Sequence, residues 1–157
     1  MNISSPNTPG LRALQEKDQL GRLLRACVAR LAERAPGKPL LVKLAPDLAP
    51  EALDEAVDVA VAAGVSGIIA TNTTLARPGL DAYPVAREQG GLSGAPLEPL
   101  ATACVRRAFL RARGRVPIIG AGGVMDAAGA WAKIRAGATL VQAYTGLIYG
   151  GPAFVRR

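Results

Sequence analysis

Apolar residues along the chain fall into two kinds of run that alternate, short continuous ones and longer ones with helical spacing. The first helical stretch has apolar side chains at positions 20, 23, 24, 27, 28 and 31, which is the spacing of one helix face. Further stretches of this kind cover residues 50–61, 97–108 and 126–137. Between them, continuous apolar runs at residues 40–45, 67–70, 116–120 and 139–143 predict buried strands.

Residues that start or stop helices stand where this pattern needs them. Pro50 can occupy the first turn of the second helix, and Gly64 follows its last apolar residue. Asp126 can cap the fourth helix, and Gly137 can end it.

Strands that are apolar on both faces and alternate with helices predict a parallel sheet covered on either side. Four strand–helix steps amount to half of a (β/α)8 TIM barrel, which takes about 250 residues when complete. Residues 2–5 look like the end of one more strand, followed at once by loop residues. We therefore expect residues 1–157 to be part of a single barrel domain, with a small doubly wound sheet as the alternative fold.

Composition adds little to this picture but excludes some functions. Half of the residues are apolar and only 4% are aromatic, so the core must be built mainly from Ala, Val, Leu and Ile. The net charge of +7 comes mostly from arginines scattered along the helices, with no aromatic residues interleaved to stack on bases. We therefore expect a solvated basic surface and no nucleic-acid partner.

The two cysteines, Cys27 and Cys104, both lie on apolar helix stripes, and the chain has no histidine. Neither a zinc site nor a disulfide is expected from this arrangement, which is typical of buried thiols in a reducing compartment. No apolar run reaches the roughly 20 residues that span a bilayer, and the N-terminus lacks the form of a signal peptide. This segment by itself is expected to be soluble and cytoplasmic.

Polar residues of unusual kinds follow each predicted strand. They are Asn2, Ser5 and Asn7 after the first, Lys43 and Asp47 at the second, Thr71, Asn72, Thr73 and Thr74 after the third, Gly120, Gly122 and Gly123 after the fourth, and Tyr144 and Thr145 after the last. The carboxyl ends of parallel strands form the active-site face of such folds. Amides, hydroxyls, one lysine and bare backbone at these ends predict a site for a polar, planar ligand that carries a phosphate.

Each of these features also has a plain structural explanation. The Asn-Thr-Thr run can form an Asx turn, Lys43 can extend to water, and the glycines before the fourth helix can be a tight turn. Lys43 is the most informative, because an ammonium group in an apolar strand is costly without an anionic partner. Residues 71–96 form a polar stretch that is too long for a simple turn, and loops of that length are usually functional.

The motifs at these strand ends closely resemble those of class 2 dihydroorotate dehydrogenases, in order and over essentially the whole chain. They are residues 2–11 (NISSPNTPGL), 42–48 (VKLAPDL), 71–74 (TNTT), 90–94 (GGLSG), 117–124 (PIIGAGGV), 134–138 (IRAGA) and 140–146 (LVQAYTG). Ser5 stands where class 1 enzymes have a cysteine, which resembles the membrane-associated, quinone-reducing class. The resemblance implies the C-terminal half of the barrel, about strands 4–8, without the N-terminal half and the quinone-binding helices.

The resemblance also implies a reaction and a role for each site residue. Dihydroorotate is oxidised to orotate in pyrimidine biosynthesis: C6 gives a hydride to N5 of FMN, Ser5 removes the C5 proton as general base, and a quinone receives the electrons. The substrate-binding residues are Asn2, Asn7, Asn72 and Thr73. The cofactor-binding residues are Asn2, Lys43, Thr71, Gly94, Gly123, Tyr144 and Thr145. Lys43 belongs against the N1–O2 side of the flavin, and no metal is expected.

Other interpretations of the function stay open on the sequence alone. The chain can be a non-catalytic fragment that folds only with a complementary half. It can also come from another FMN-dependent barrel enzyme, such as a class 1 dihydroorotate dehydrogenase or an enzyme acting on dihydropyrimidines or dihydrouridine. Dihydropyrimidine and dihydrouridine enzymes generally use a cysteine as acid, whereas both cysteines here lie in the middle of helices. For the parent enzyme, the resemblance implies a peripheral position on the cytoplasmic side of the inner membrane, with membrane and quinone contacts outside this segment.

Overall fold

Four short parallel strands lie side by side in the order in which they occur along the chain. The computed structural model describes residues 1–80 and 82–156, with Val85 described by its backbone alone. The strands are β1 Leu41–Leu44, β2 Gly67–Ala70, β3 Ile118–Ala121 and β4 Leu140–Gln142. Asn2 pairs with Lys43 as an isolated parallel bridge, so the first residues occupy the next position beside β1.

Helices connect the strands in the alternating order that the apolar pattern predicts. They are α1 Lys17–Arg34, α2 Pro50–Ala62, α3 Glu98–Ala112, α4 Ala127–Arg135 and α5 Thr145–Gly150. Four 3-10 turns lie between and after them, at Leu11–Gln15, Pro84–Arg87, Ala95–Leu97 and Phe154–Arg156. Pro50 begins α2, and the Asp126 carboxylate caps α4 by accepting a hydrogen bond from the Gly129 N–H at 2.8 Å. The expected partial (β/α)8 barrel is confirmed.

The core lies between the sheet and α1, α2 and α3. Its fully buried side chains are aliphatic and many are small, among them Leu20, Leu24, Val42, Ala56, Val57, Ala60, Ile68, Val105 and Ala108. Alanine faces let the helices approach one another and the sheet closely, which suits a chain with few aromatic residues. Cys104 is buried as expected, whereas Cys27 in α1 is only half-buried, with its sulfur 3.9 Å from the sulfur of Met1.

Two arginine–aspartate pairs, which we call the ladder, join α2 to α3. Arg107 donates from Nε and Nη2 to the two carboxylate oxygens of Asp54, at 2.7 and 2.9 Å. Arg111 pairs in the same two-pronged way with Asp58, and its hydrogen bond holds the pKa of that carboxyl below its ordinary value. Part of the basic surface expected from the sequence is therefore paired across this helix boundary.

The last strand departs from the expectation of strands buried on both faces. Leu140 is 62% exposed, and the strand alternates between exposed and half-buried positions. Within the described residues β4 pairs only with β3, so one of its edges has no neighbouring strand. No helix among those residues is both long and apolar enough to cross a membrane.

Candidate functional site

A cavity of about 280 Å³ opens where the strands end at their carboxyl side. Its lining comes from all four strand ends and from the long polar stretch: Lys43, Thr71, Asn72, Thr73, Ser93, Gly94, Leu97, Ala121, Gly122, Gly123, Val124, Gln142, Tyr144 and Thr145. All of the predicted site residues except Asn2, Ser5 and Asn7 are in this lining. The topology brings them together because parallel strands aligned in register end at one edge of the sheet.

Lys43 extends from the end of β1 into this lining and is half-buried. Burial lowers the pKa of its ammonium group, since removal from water disfavours the charged form. No carboxylate in the described part of the chain lies within 4.0 Å of it. A partly desolvated cation without a carboxylate partner makes this end of the cavity suited to an anionic or electron-rich ligand.

Asn72 is held at both ends of its amide group. Its Nδ2 donates to the side-chain oxygens of Asn2 and Ser4, each at 3.0 Å, and its Oδ1 accepts from the Thr73 N–H at 2.8 Å. The Ser4 hydroxyl, which is fully buried, donates to the same Asn2 oxygen at 3.0 Å. Asn2 therefore does not line the cavity itself but orients a side chain that does.

Ser5 and Asn7 lie in the loop beside the cavity. The Ser5 hydroxyl is half-buried and accepts a hydrogen bond from the Asn7 N–H at 3.3 Å. The loop packs against the long polar stretch at Gly91, where a Cβ atom would collide with the Thr73 side chain and lie 2.8 Å from the Pro6 ring. This close approach requires glycine at position 91 and brings the Ser5 loop against Thr73.

Arg12 fastens that loop and was not singled out from the sequence. Its Nε donates to the Ser4 carbonyl at 3.1 Å, its Nη1 to Asp47 at 2.7 Å and its Nη2 to the Thr73 carbonyl at 3.0 Å. Asp47 also accepts from the Thr74 hydroxyl and from the Leu75 N–H. The sequence marked Asp47 as a polar residue after a strand but not its partner, because Arg12 lies 35 residues from Asp47 and 61 from Thr73.

Glycines and hydroxyls form the opposite side of the cavity. Gly122 and Gly123 have φ angles of 104° and 77°, a backbone region that favours glycine. No hydrogen bond among the described residues uses either backbone N–H. The Thr145 hydroxyl donates to the Ser93 hydroxyl at 3.0 Å, next to Gly94. Free N–H groups in a glycine turn before a helix are donors suited to a phosphate or similar anion.

The fold and this cavity together define a partial (β/α) barrel with an anion-suited site at the carboxyl ends of its strands. The family model described as dihydroorotate dehydrogenase matches residues 1–157, and the chain belongs to that family.

Close relatives share this family and extend well beyond the length of this chain. The chain is 77% identical over its whole length to a dihydroorotate dehydrogenase (quinone) from Anaeromyxobacter sp. (strain Fw109-5), of which it covers 43%. It is 61% identical to the protein of the same name from Myxococcus xanthus, covering 99% of this chain and 42% of that one. The crystal structure of the Eimeria tenella enzyme in complex with ferulenol superposes with a TM-score of 0.93 at 39% identity, covering 99% of this chain and 46% of that chain.

Proposed function

We propose that this chain forms the flavin-facing part of an enzyme that oxidises dihydroorotate to orotate in pyrimidine biosynthesis. The observation that carries the proposal is the convergence of Lys43, Asn72 and the Gly122–Gly123 turn on one cavity. The chain spans less than half the length of its curated relatives, so the activity is proposed for the longer protein of which these residues are a part. The name that those relatives share, dihydroorotate dehydrogenase (quinone), supports the reaction and its quinone acceptor.

The donor set of the cavity fits FMN. Lys43 supplies a cation on one side of the cavity. Gly122 and Gly123 line the other side, and their N–H groups make no hydrogen bond to any described residue. Bound FMN would supply the acceptor for the hydride that leaves C6 of dihydroorotate. In this assignment Gly94, Gly123, Tyr144 and Thr145 would hold the phosphate end, and Lys43 and Thr71 would serve the ring system. Asn2 would act there through Asn72, whose amide it orients. Lys43 would stabilise negative charge that develops on the ring during reduction.

Amide side chains and two hydroxyl groups would act on the substrate. Asn2, Asn7, Asn72 and Thr73 offer donors and acceptors suited to an imide edge and a carboxylate. Ser5 would take the C5 proton on Oγ and pass its own hydroxyl proton onward, because a serine hydroxyl is a poor base at neutral pH. The N–H of Asn7, which donates to this oxygen, helps to fix the orientation of the hydroxyl.

Flavin enzymes that use a cysteine as acid fit the site less well. Cys104 lies in α3, its sulfur contacts the Pro46 carbonyl, and burial together with the nearby Asp47 charge raises its pKa to about 11. Neither Cys104 nor Cys27 lines the cavity. We therefore favour the serine-dependent reaction.

For the parent enzyme we propose a peripheral position at the cytoplasmic side of the inner membrane. Its quinone and membrane contacts would be made by parts outside this chain.

The test exchanges these 157 residues into the full-length relative from Anaeromyxobacter sp. (strain Fw109-5), replacing the stretch that matches them. We expect this hybrid protein to bind FMN and to lose the visible absorbance of its flavin when dihydroorotate is added without oxygen, with orotate formed in equal amount. A hybrid that retains FMN but is not reduced by dihydroorotate, under conditions in which the unaltered relative is reduced, would refute the proposal.

A further inference from the structure

Lys133, in α4, is a charged side chain with no exposure to solvent. Burial lowers the pKa of its ammonium group, and the neighbouring Glu98 acts in the opposite direction. A buried ammonium group is strongly unfavourable unless it is paired and hydrogen-bonded. Its partners therefore indicate what this residue does.

Among the described residues, the polar partners of the Lys133 ammonium group all lie in the first turns of α3. Its Nζ donates to the Glu98 carbonyl at 3.1 Å and to the Thr102 hydroxyl, and it lies 3.7 Å from the Glu98 carboxylate. The Thr102 hydroxyl in turn donates to that carboxylate at 2.8 Å. Lys133 thus binds α4 to the start of α3 through a closed set of hydrogen bonds.

The start of α3 is the support on which the glycine turn rests. A Cβ atom on Gly123 would collide with the backbone of Glu98, and one on Gly122 would lie 2.9 Å from the Ala101 Cβ. The stem of Lys133 also packs below the turn, since a Cβ atom on Gly120 would lie 2.9 Å from the Lys133 Cβ. The lysine therefore contacts both the strand that leads into the turn and the helix behind it.

We propose that Lys133 is a positioning residue for the phosphate end of the cavity. By holding the start of α3 against α4, it keeps Gly122 and Gly123 in the conformation that presents two free N–H groups to an anion. This inference rests on the proposed FMN site and adds a residue outside the cavity lining. It predicts that loss of the ammonium group weakens the binding of a flavin that carries phosphate and leaves a flavin without phosphate almost unaffected.

The experiment compares FMN with riboflavin, which has the same ring system but no phosphate, on the flavin-free hybrid protein described above. Dissociation constants are measured by quenching of flavin fluorescence. For Lys133→Met we expect the preference for FMN over riboflavin to fall about tenfold, the effect of losing a charge-assisted hydrogen bond. Lys38→Met, which removes an exposed lysine, is the matched control and should keep the preference unchanged.

A second variant keeps the test decisive if Lys133→Met does not fold. Thr102→Val removes one acceptor of the Lys133 ammonium group and retains the side-chain shape, so a smaller loss of the same preference is expected. An equal loss of affinity for both flavins, in either variant, would mean that Lys133 only supports the fold and would overturn the inference while leaving the proposed function intact. An unsubstituted hybrid without any preference for FMN would overturn both this inference and the phosphate assignment.

Discussion

The guanidinium group of Arg12 and the carboxylate of Asp47 form an ion pair, with 2.7 Å between Nη1 and Oδ2. Their side chains are only 21% and 25% exposed. Through its other nitrogens, Arg12 also holds the carbonyl oxygens of Ser4 and Thr73. One planar group therefore fixes the Ser5 loop to the ends of β1 and β2.

Replacing Arg12 by lysine should slow the reaction without weakening flavin binding. Lysine keeps the charge but cannot reproduce three hydrogen bonds in one plane, so the Ser5 loop loses its fixed position relative to Thr73. We expect flavin reduction by dihydroorotate in the hybrid protein to slow by about tenfold or more, as for the loss of one or two hydrogen bonds to a charged group. Stopped-flow absorbance measures this rate, and Arg22→Lys on the exposed face of α1 is the control. A parallel loss of FMN affinity would contradict a role confined to the loop.

Removing the Ser5 hydroxyl should abolish most of the proton transfer and leave the cofactor in place. For Ser5→Ala we expect flavin reduction to slow by about 10²–10⁴-fold, the usual effect of losing a general base, with unchanged FMN content and substrate affinity. Thr8→Ala removes another hydroxyl from the same loop and should reduce its flavin at the original rate. An unchanged rate for Ser5→Ala would exclude Ser5 as the base.

Lys43 should make flavin affinity depend on pH, at pH values below those at which an ordinary lysine titrates. Burial lowers the pKa of this ammonium group, so in the flavin-free protein it loses its proton at a lower pH than an ordinary lysine. If FMN interacts with the charged form, binding takes up a proton above that pKa, and affinity falls as the pH rises through it. Titration of FMN at several pH values measures the effect. Lys43→Met should bind FMN more weakly near neutral pH, and any pH dependence left in this variant belongs to the flavin itself.

The isolated 157 residues should associate with one another. One edge of β4 is unpaired within the described residues, and Leu140, Ile148 and Val155 are 62%, 68% and 83% exposed. Unpaired strand edges and exposed apolar patches favour association. We expect dimers or larger species by light scattering, with weak FMN binding at most. Leu140→Lys, which places a charge at the open edge, should shift the distribution towards monomer. A monodisperse yellow monomer reduced by dihydroorotate would show the expectation to be wrong.

The sequence predicted the strands well because each is a short, continuous apolar run between helix signals, and Gly67–Ala70 was predicted without error at either end. The burial of Lys133 could not be predicted from the sequence, because hydrophobicity alone would bury its apolar neighbours Trp131 and Ile134 instead. The structure leaves Trp131 and Ile134 61% and 38% exposed and buries the lysine instead. The Lys133 ammonium group has its partners at Glu98 and Thr102, 35 and 31 residues away along the chain, and Arg12 reaches Asp47 and Thr73 over 35 and 61 residues. Local spacing therefore carries no signal for either network.

The ladder between α2 and α3 repeats at the interval of one helical turn on both sides. Asp54 and Asp58 are four residues apart, as are Arg107 and Arg111, and Arg115 also lies 3.8 Å from Asp58. If α3 slid along α2 by one turn, Arg111 would meet Asp54 and a charged pair would survive. The ladder can therefore strengthen this helix boundary but cannot define its alignment. The alignment must come from contacts that do not repeat, such as that of the Cys104 sulfur in α3 with the Pro46 carbonyl just before α2.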